Sequence, residues 1–165
     1  MPDAIKPKNV YWDSDCLIGW LAKEEGKWSL CESTLDAARR GKVVICISAL
    51  SLIEVIKLGK GHSALPREHE DRIVRFFDNS FIEIYDVDHW IGSLARDLIW
   101  KNALDPKDAI HVATAINNDI PELHTFDGKL LALDNRLPLK SGTGNLRICQ
   151  PPPQNQNSLF KAEEK

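Results

Sequence analysis

Short runs rich in β-branched and aromatic residues recur along the chain, and longer segments of helical spacing separate them. The runs are Asn9–Trp12, Lys42–Ser48, Phe81–Val87, Glu122–Asp127 and Leu146–Gln150. Between them, Leu17, Trp20, Leu21 and Glu24 repeat at three- and four-residue intervals, and the segment from Leu30 stops at Gly41. Ala49–Gly61, Pro66–Asn79, Asp88–Asn102 and Asp105–Asn118 also read as helices, the second opening on a proline and an acidic turn. Strand and helix in alternation demand a parallel sheet, because parallel strands need a crossover and the crossover helices cover both faces. The expected fold is α/β, a three-layer α/β/α sandwich around a mostly parallel sheet. In such sheets ligands sit beyond the carboxyl ends of the strands.

A chain of 165 residues fits one domain and can bury a core without staples. The boundary is expected near residue 150, with 1–150 as the domain and 151–165 as a tail. The ending Pro-Pro-Pro-Gln-Asn-Gln-Asn offers little to bury, so it reads as disordered. A net charge of −3 argues against a histone-like or membrane-surface protein, although local patches and metal ions still allow a nucleic-acid enzyme. Cys16, Cys31, Cys46 and Cys149 form no Cys-x-x-Cys pair and sit among apolar neighbours, so they read as free buried thiols. No signal-peptide core or membrane-length apolar run is present. A reducing, cytoplasmic setting is expected.

The stretch Val10–Leu21, VYWDSDCLIGWL, places Asp13-Ser14-Asp15 between two apolar segments. Asp13 closes the first expected strand. Glu54 lies on the helix after the second, Asp108 in the first turn of the Asp105–Asn118 helix, and Asp127 closes the fourth strand. A parallel sheet can bring all four to one edge. Four carboxylates repel one another unless cations neutralise them, and oxygen-only donors suit Mg²⁺ or Mn²⁺. Each residue also has a plainer role. Asp13 or Ser14 can cap the next helix, and Glu54 can face solvent. Asp105-Pro106-Lys107-Asp108 has the form of an N-cap, a proline at the first helical position and a capping-box acid. Asp127-Gly128 can be a turn. The set carries more weight than any member.

Four blocks, VYWDSDCLIGWL, ISALSLIEVIKL, LDPKDAIHVATAI and LHTFDGKL, together resemble the signature blocks of the PIN-domain family, in particular the VapC-type ribonucleases. The resemblance spans roughly residues 9–149. It implies an α/β/α sandwich, a Mg²⁺- or Mn²⁺-dependent endoribonuclease acting on RNA, frequent homodimers, and, for the toxin members, a cognate antitoxin protein. It assigns Asp13, Glu54, Asp108 and Asp127 as catalytic and metal-holding acids. Ser14 and Thr125 are hydroxyls beside carboxylates that could support the site by orienting a ligand or scissile phosphate, or equally serve in capping or turn bonding. Asp15 departs from the pattern, since many relatives carry Asn or Ser there; it either binds metal through water or sits in the helix's first turn, where the dipole favours an acid.

Other residues carry weaker signals. His111 reads as a buried, hydrogen-bonded histidine. The five tryptophans read as core by default. Lys57, Lys60 and His62 follow the Glu54 helix and could meet phosphates or form an ordinary loop. Two rival functions remain. A HAD-type phosphatase also begins with Asp-x-Asp after a strand, but leaves Glu54 and the Asp108–Ala115 block unexplained. A non-catalytic PIN module binding RNA or protein has no need of an intact acidic set.

Overall fold

The computed structural model describes residues 4–56 and 66–153. In chain order it contains β1 (Lys8–Trp12), α1 (Ser14–Leu21), α2 (Trp28–Arg39), β2 (Val43–Ser48) and α3 (Ser51–Glu54). A 3₁₀ turn at Arg67–His69 leads into α4 (Glu70–Phe77), followed by β3 (Ile82–Tyr85), α5 (His89–Asn102) and α6 (Pro106–Asn117). The chain then forms β4 (Glu122–His124), α7 (Gly128–Leu131) and β5 (Arg147–Cys149). The strands order β3-β2-β1-β4-β5, and every neighbouring pair is parallel. The sheet is therefore wholly parallel, with β3 ending it on one side and the three-residue β5 on the other.

The pleat sorts the side chains into two cores. Val10 and Trp12 of β1 join Ile45 and Ile47 of β2 on one face, against Cys16, Leu17 and Leu21 of α1 and Cys31 and Leu35 of α2. Tyr11 and Cys46 point the other way, toward α5 and α6 with Ile91, Leu98, Ala109, Val112 and Ala113. Alternate residues of one strand thus serve opposite layers, which is the three-layer sandwich. Burying each large apolar side chain contributes about 1.5–3 kcal/mol. Tyr11 and Trp12 of β1, Ile45 and Ile47 of β2 and Leu17 of α1 are all fully buried, so β1 and β2 are anchored from both faces.

Three expectations need revision. Trp28 at the start of α2 is 39% exposed, and Trp90 and Trp100 of α5 are not core residues either, being 64% and 74% exposed. The buried stripe of α5 is Ile91, Ala95 and Leu98, at i, i+4 and i+7, and both tryptophans fall off it. Trp100 instead faces Arg96, whose guanidinium lies 5.4 Å from the ring. The helix expected from Ala49 is a single turn at Ser51–Glu54, with Val55 buried behind it; Lys57, Lys60 and His62 lie outside the described residues. Helix α7 was not expected, because Gly128–Leu131 is too short to show a period. Of the proposed tail, Pro151 is buried, and everything from residue 154 lies outside the described residues.

Candidate active site

The register of the central strands sets the site. Trp12 pairs with His124, so the next residues, Asp13 and Thr125, leave the sheet side by side. The Asp13 backbone N–H reaches the His124 carbonyl at 3.4 Å. Asp13 is also the N-cap of α1: its backbone is extended and its Oδ1 accepts from the Cys16 N–H at 3.1 Å. Only 3% of Asp13 is exposed. Burial pushes its carboxyl from the ordinary 3.8 up to about 6, against the opposing pull of the Thr125 hydroxyl and His111. Capping and a place at the sheet edge thus belong to the same residue.

Asp127 is built the same way at the start of α7, where Oδ1 accepts from the N–H groups of Lys129 and Leu130 at 2.7 and 3.2 Å. Thr125 fixes the connection, since its buried hydroxyl oxygen accepts from the Asp127 N–H at 3.0 Å. Asp108 sits in the first turn of α6, behind Asp105 at the N-cap and Pro106. Asp105 makes no side-chain cap bond. Among the described residues Asp108 has no hydrogen bond and no ion pair. Its carboxyl is half-buried and raised above the ordinary range, first by burial and then by the negative charge of Asp127, with Asp105 and Glu54 adding to it.

Glu54 ends α3 and is drawn inward. Its Oε1 accepts from the Ser14 hydroxyl at 2.8 Å and lies 2.8 Å from His111 Nε2. Lys107 approaches Oε2 at 3.8 Å. Burial alone would raise this carboxyl, but His111, Ser14 and Lys107 outweigh it and the net direction is down. Ser14 is buried and also lies 3.1 Å from the Ser51 hydroxyl. Asp15 turns elsewhere: Lys27 Nζ sits 2.9 Å from its Oδ1 and 2.9 Å from Glu24.

The four acids therefore come from β1–α1, α3, α6 and β4–α7, and electrostatic coupling links Asp108 to both Asp127 and Glu54. Among the described residues, the three-ligand group whose donor atoms lie within 4.8 Å of one another is a different one, Glu122, His124 and Cys149. Its hydrogen bonds are already assigned. Trp12 Nε1–H, which can only donate, faces His124 Nδ1 at 3.2 Å, so the ring hydrogen is on Nε2 and points at Glu122 Oε1, 2.7 Å away. A metal on Nε2 would move that hydrogen to Nδ1 and set two donors against each other. Lys8 supplies Glu122 with a counter-charge. Burial alone would raise the Glu122 carboxyl, but His124 and Lys8 hold it down at about 2. Burial lowers His124 and pushes the Cys149 thiol up to about 11. This triad is a satisfied core network.

Inspection of the sequence alone does not reveal the contacts of Tyr11 and His111 with the site. His111 is 2% exposed, as expected of a core histidine, with Tyr11 Oη 2.7 Å from Nδ1. Its place three residues after Asp108 on α6 was the available signal.

Residues 10–135 match the family model of the PIN domain. No curated protein matches the sequence. The structure is similar to that of VapC20 from Mycobacterium tuberculosis, a sarcin-ricin loop cleaving toxin, with a TM-score of 0.58 and 12% identity over 72% of this chain and 90% of that one. It is similar to a chain of a toxin-antitoxin complex from Klebsiella pneumoniae, with a TM-score of 0.56 and 19% identity over 87% and 98% of the two chains. A chain of VapBC2 from Rickettsia felis, bound to a promoter DNA fragment, gives 0.55 and 20% over 74% and 90%.

Proposed function

The chain belongs to the PIN-domain family, and from that premise we propose that it is a Mg²⁺- or Mn²⁺-dependent endoribonuclease and the toxin of a toxin–antitoxin pair. The observation that carries the reading is Asp108. It is a half-buried carboxyl with no hydrogen bond or ion pair among the described residues, raised by burial and by acids from two other elements against a weaker opposing pull from His111. Such an arrangement is unfavourable by itself and becomes favourable with a cation among the acids.

The donor set fits a hard divalent ion: Asp13, Glu54, Asp108 and Asp127 offer only oxygens. Bound there, the ion supplies an activated water and charge neutralisation at a phosphoryl group. The chain's own residues do the rest. Asp127 is fixed by capping bonds through one oxygen, which leaves the other for ligation, while Asp13 is capped through Oδ1 and also meets the Thr125 hydroxyl. Thr125 ties the two together, hydroxyl beside Asp13 and oxygen under the Asp127 N–H. Lys107 and Lys129, about two-thirds exposed and next to the α6 and α7 N-termini, are placed to meet the RNA backbone. Ser14 acts through Glu54. Asp15 is occupied by Lys27, which favours its place in the helix turn over a metal role.

Likeness to the Klebsiella and Rickettsia assemblies supports an antitoxin as protein partner, and the family supports a homodimer in the cytoplasm. The test is cleavage of single-stranded RNA by purified protein with Mn²⁺ or Mg²⁺. Cleavage should stop in chelator and in Asp108→Asn. RNA left intact by the parent with either ion would favour the non-catalytic PIN module instead.

A further inference from the structure

We infer that Tyr11 and His111 are positioning residues that hold the Glu54 carboxylate at the site through a buried hydrogen-bond relay. The inference rests on the reading of Glu54 as a metal-holding acid and extends it to residues outside the acidic set.

Glu54 is the acid with the weakest backbone support. Asp13 follows the central strand and Asp127 follows β4, whereas Glu54 ends a one-turn helix held by 3.2 Å N–H···O=C contacts such as that from Glu54 to Leu50. Asp108 carries like charge toward it. Repulsion on a short, lightly tethered element would turn the side chain outward. Two buried donors oppose this, the Ser14 hydroxyl and His111 Nε2, both at 2.8 Å from Oε1.

The chemistry of the contacts gives the relay one direction when the imidazole is neutral. A carboxylate only accepts, so Nε2 carries a hydrogen toward Glu54. Nδ1 faces Tyr11 Oη at 2.7 Å. The Tyr11 phenol carries a hydrogen at neutral pH and can give it to Nδ1. The run is Tyr11 O–H to Nδ1, then Nε2–H to Glu54. Tyr11 lies on the central strand and is fully buried, and the two rings meet edge to face at a 5.9 Å centroid distance. The relay therefore ties a long side chain on a short helix to the central strand of the sheet. Partners of this kind around a ligating group typically change metal affinity 10–100-fold when removed.

The test uses the full chain, Mn²⁺ alone as probe, and three variants: Tyr11→Phe, His111→Ala and His111→Gln. Two-bond ¹⁵N–¹H spectra of the imidazole should show His111 protonated at Nε2 and accepting at Nδ1, with the Nδ1 signal moving in Tyr11→Phe. Calorimetric titration should show Mn²⁺ binding weakened about ten-fold in His111→Ala and several-fold in Tyr11→Phe, with partial recovery in His111→Gln, whose amide can still donate to Glu54. Tyr11→Phe keeps the buried ring and guards against a folding failure. A His111 hydrogen found on Nδ1, or Mn²⁺ affinities equal to the parent's in folded variants, would overturn the relay alone. A parent that binds no Mn²⁺ would overturn the site reading, and this inference with it.

Discussion

Asp13→Asn is expected to make the metal-free protein more stable while ending RNA cleavage. The magnitude follows from burial. An Asp that ionises at 3.8 in the unfolded chain and at about 6 in the folded one loses roughly 3 kcal/mol of stability once both states are ionised, at 1.36 kcal/mol per pH unit. The sign is fixed by the direction of the shift. Below pH 3.8 both states are protonated and nothing is lost; the loss grows as pH rises through 3.8 and is complete above about 6. Asparagine removes the charge and keeps a side-chain oxygen for the Cys16 N–H, so the α1 cap survives. At pH 7.5, in chelator, the variant should melt higher than the parent by up to roughly 6–12 °C, using about 2–4 °C per kcal/mol for a chain of this size. Near pH 3.5 the two curves should coincide. Saturating Mn²⁺ should narrow the gap at pH 7.5, because only the parent keeps the Asp13 carboxylate as ligand. A variant that melts at or below the parent at pH 7.5 in chelator, or a gain that persists unchanged at pH 3.5, would refute the account.

Mn²⁺ at 100 times its dissociation constant should stabilise the parent by about 2.7 kcal/mol. The gain should shrink in Glu54→Gln and Asp127→Asn and in acid, and stay unchanged in the control Glu163→Gln; equal responses in all four proteins would remove these acids from the site. Glu122→Gln should lower the melting temperature at pH 7, and the penalty should fade as pH falls from 4.5 toward about 2, since a depressed carboxyl stabilises only while it is ionised in the fold. A pH-independent penalty would argue against the Lys8–Glu122–His124 network as its source. Removing residues 154–165, a segment with few apolar side chains, should move the melting temperature by no more than about 2 °C. A larger drop would mean that Leu159 or Phe160 packs on the domain.

What could be read from the residues was whatever depends on local period. Val10, Tyr11 and Trp12 alternate, and the structure sends them to opposite layers. The acids could be nominated because strand ends are visible as breaks in apolar runs. Trp90 and Trp100 lie off the Ile91–Ala95–Leu98 stripe of α5, so bulk and apolarity alone misassign them to the core. The relay was out of reach for another reason. Tyr11 and His111 are 100 positions apart, and Glu54 and His111 are 57 apart. No local period encodes a contact between one residue of a strand and another on a distant helix; only the packing of α6 across the sheet creates it. Capping could not be told from a place in the candidate site at Asp13 and Asp127, because each is a helix N-cap that directly follows the end of a strand.

The sheet stops at β3 without a partner on its outer side among the described residues, and an unpaired strand is an open template for the backbone of another molecule. Ile84 and Val87 are exposed there and would welcome such an addition. Glu83, Asp86 and Asp88 are exposed around them. A second molecule sliding in edge to edge would bring the same acids against these, and like charges set opposite each other across a strand pair are destabilising. The acidity of this short segment keeps a hydrophobic margin from becoming a seed for stacking, and it does so at the far end of the sheet from β5.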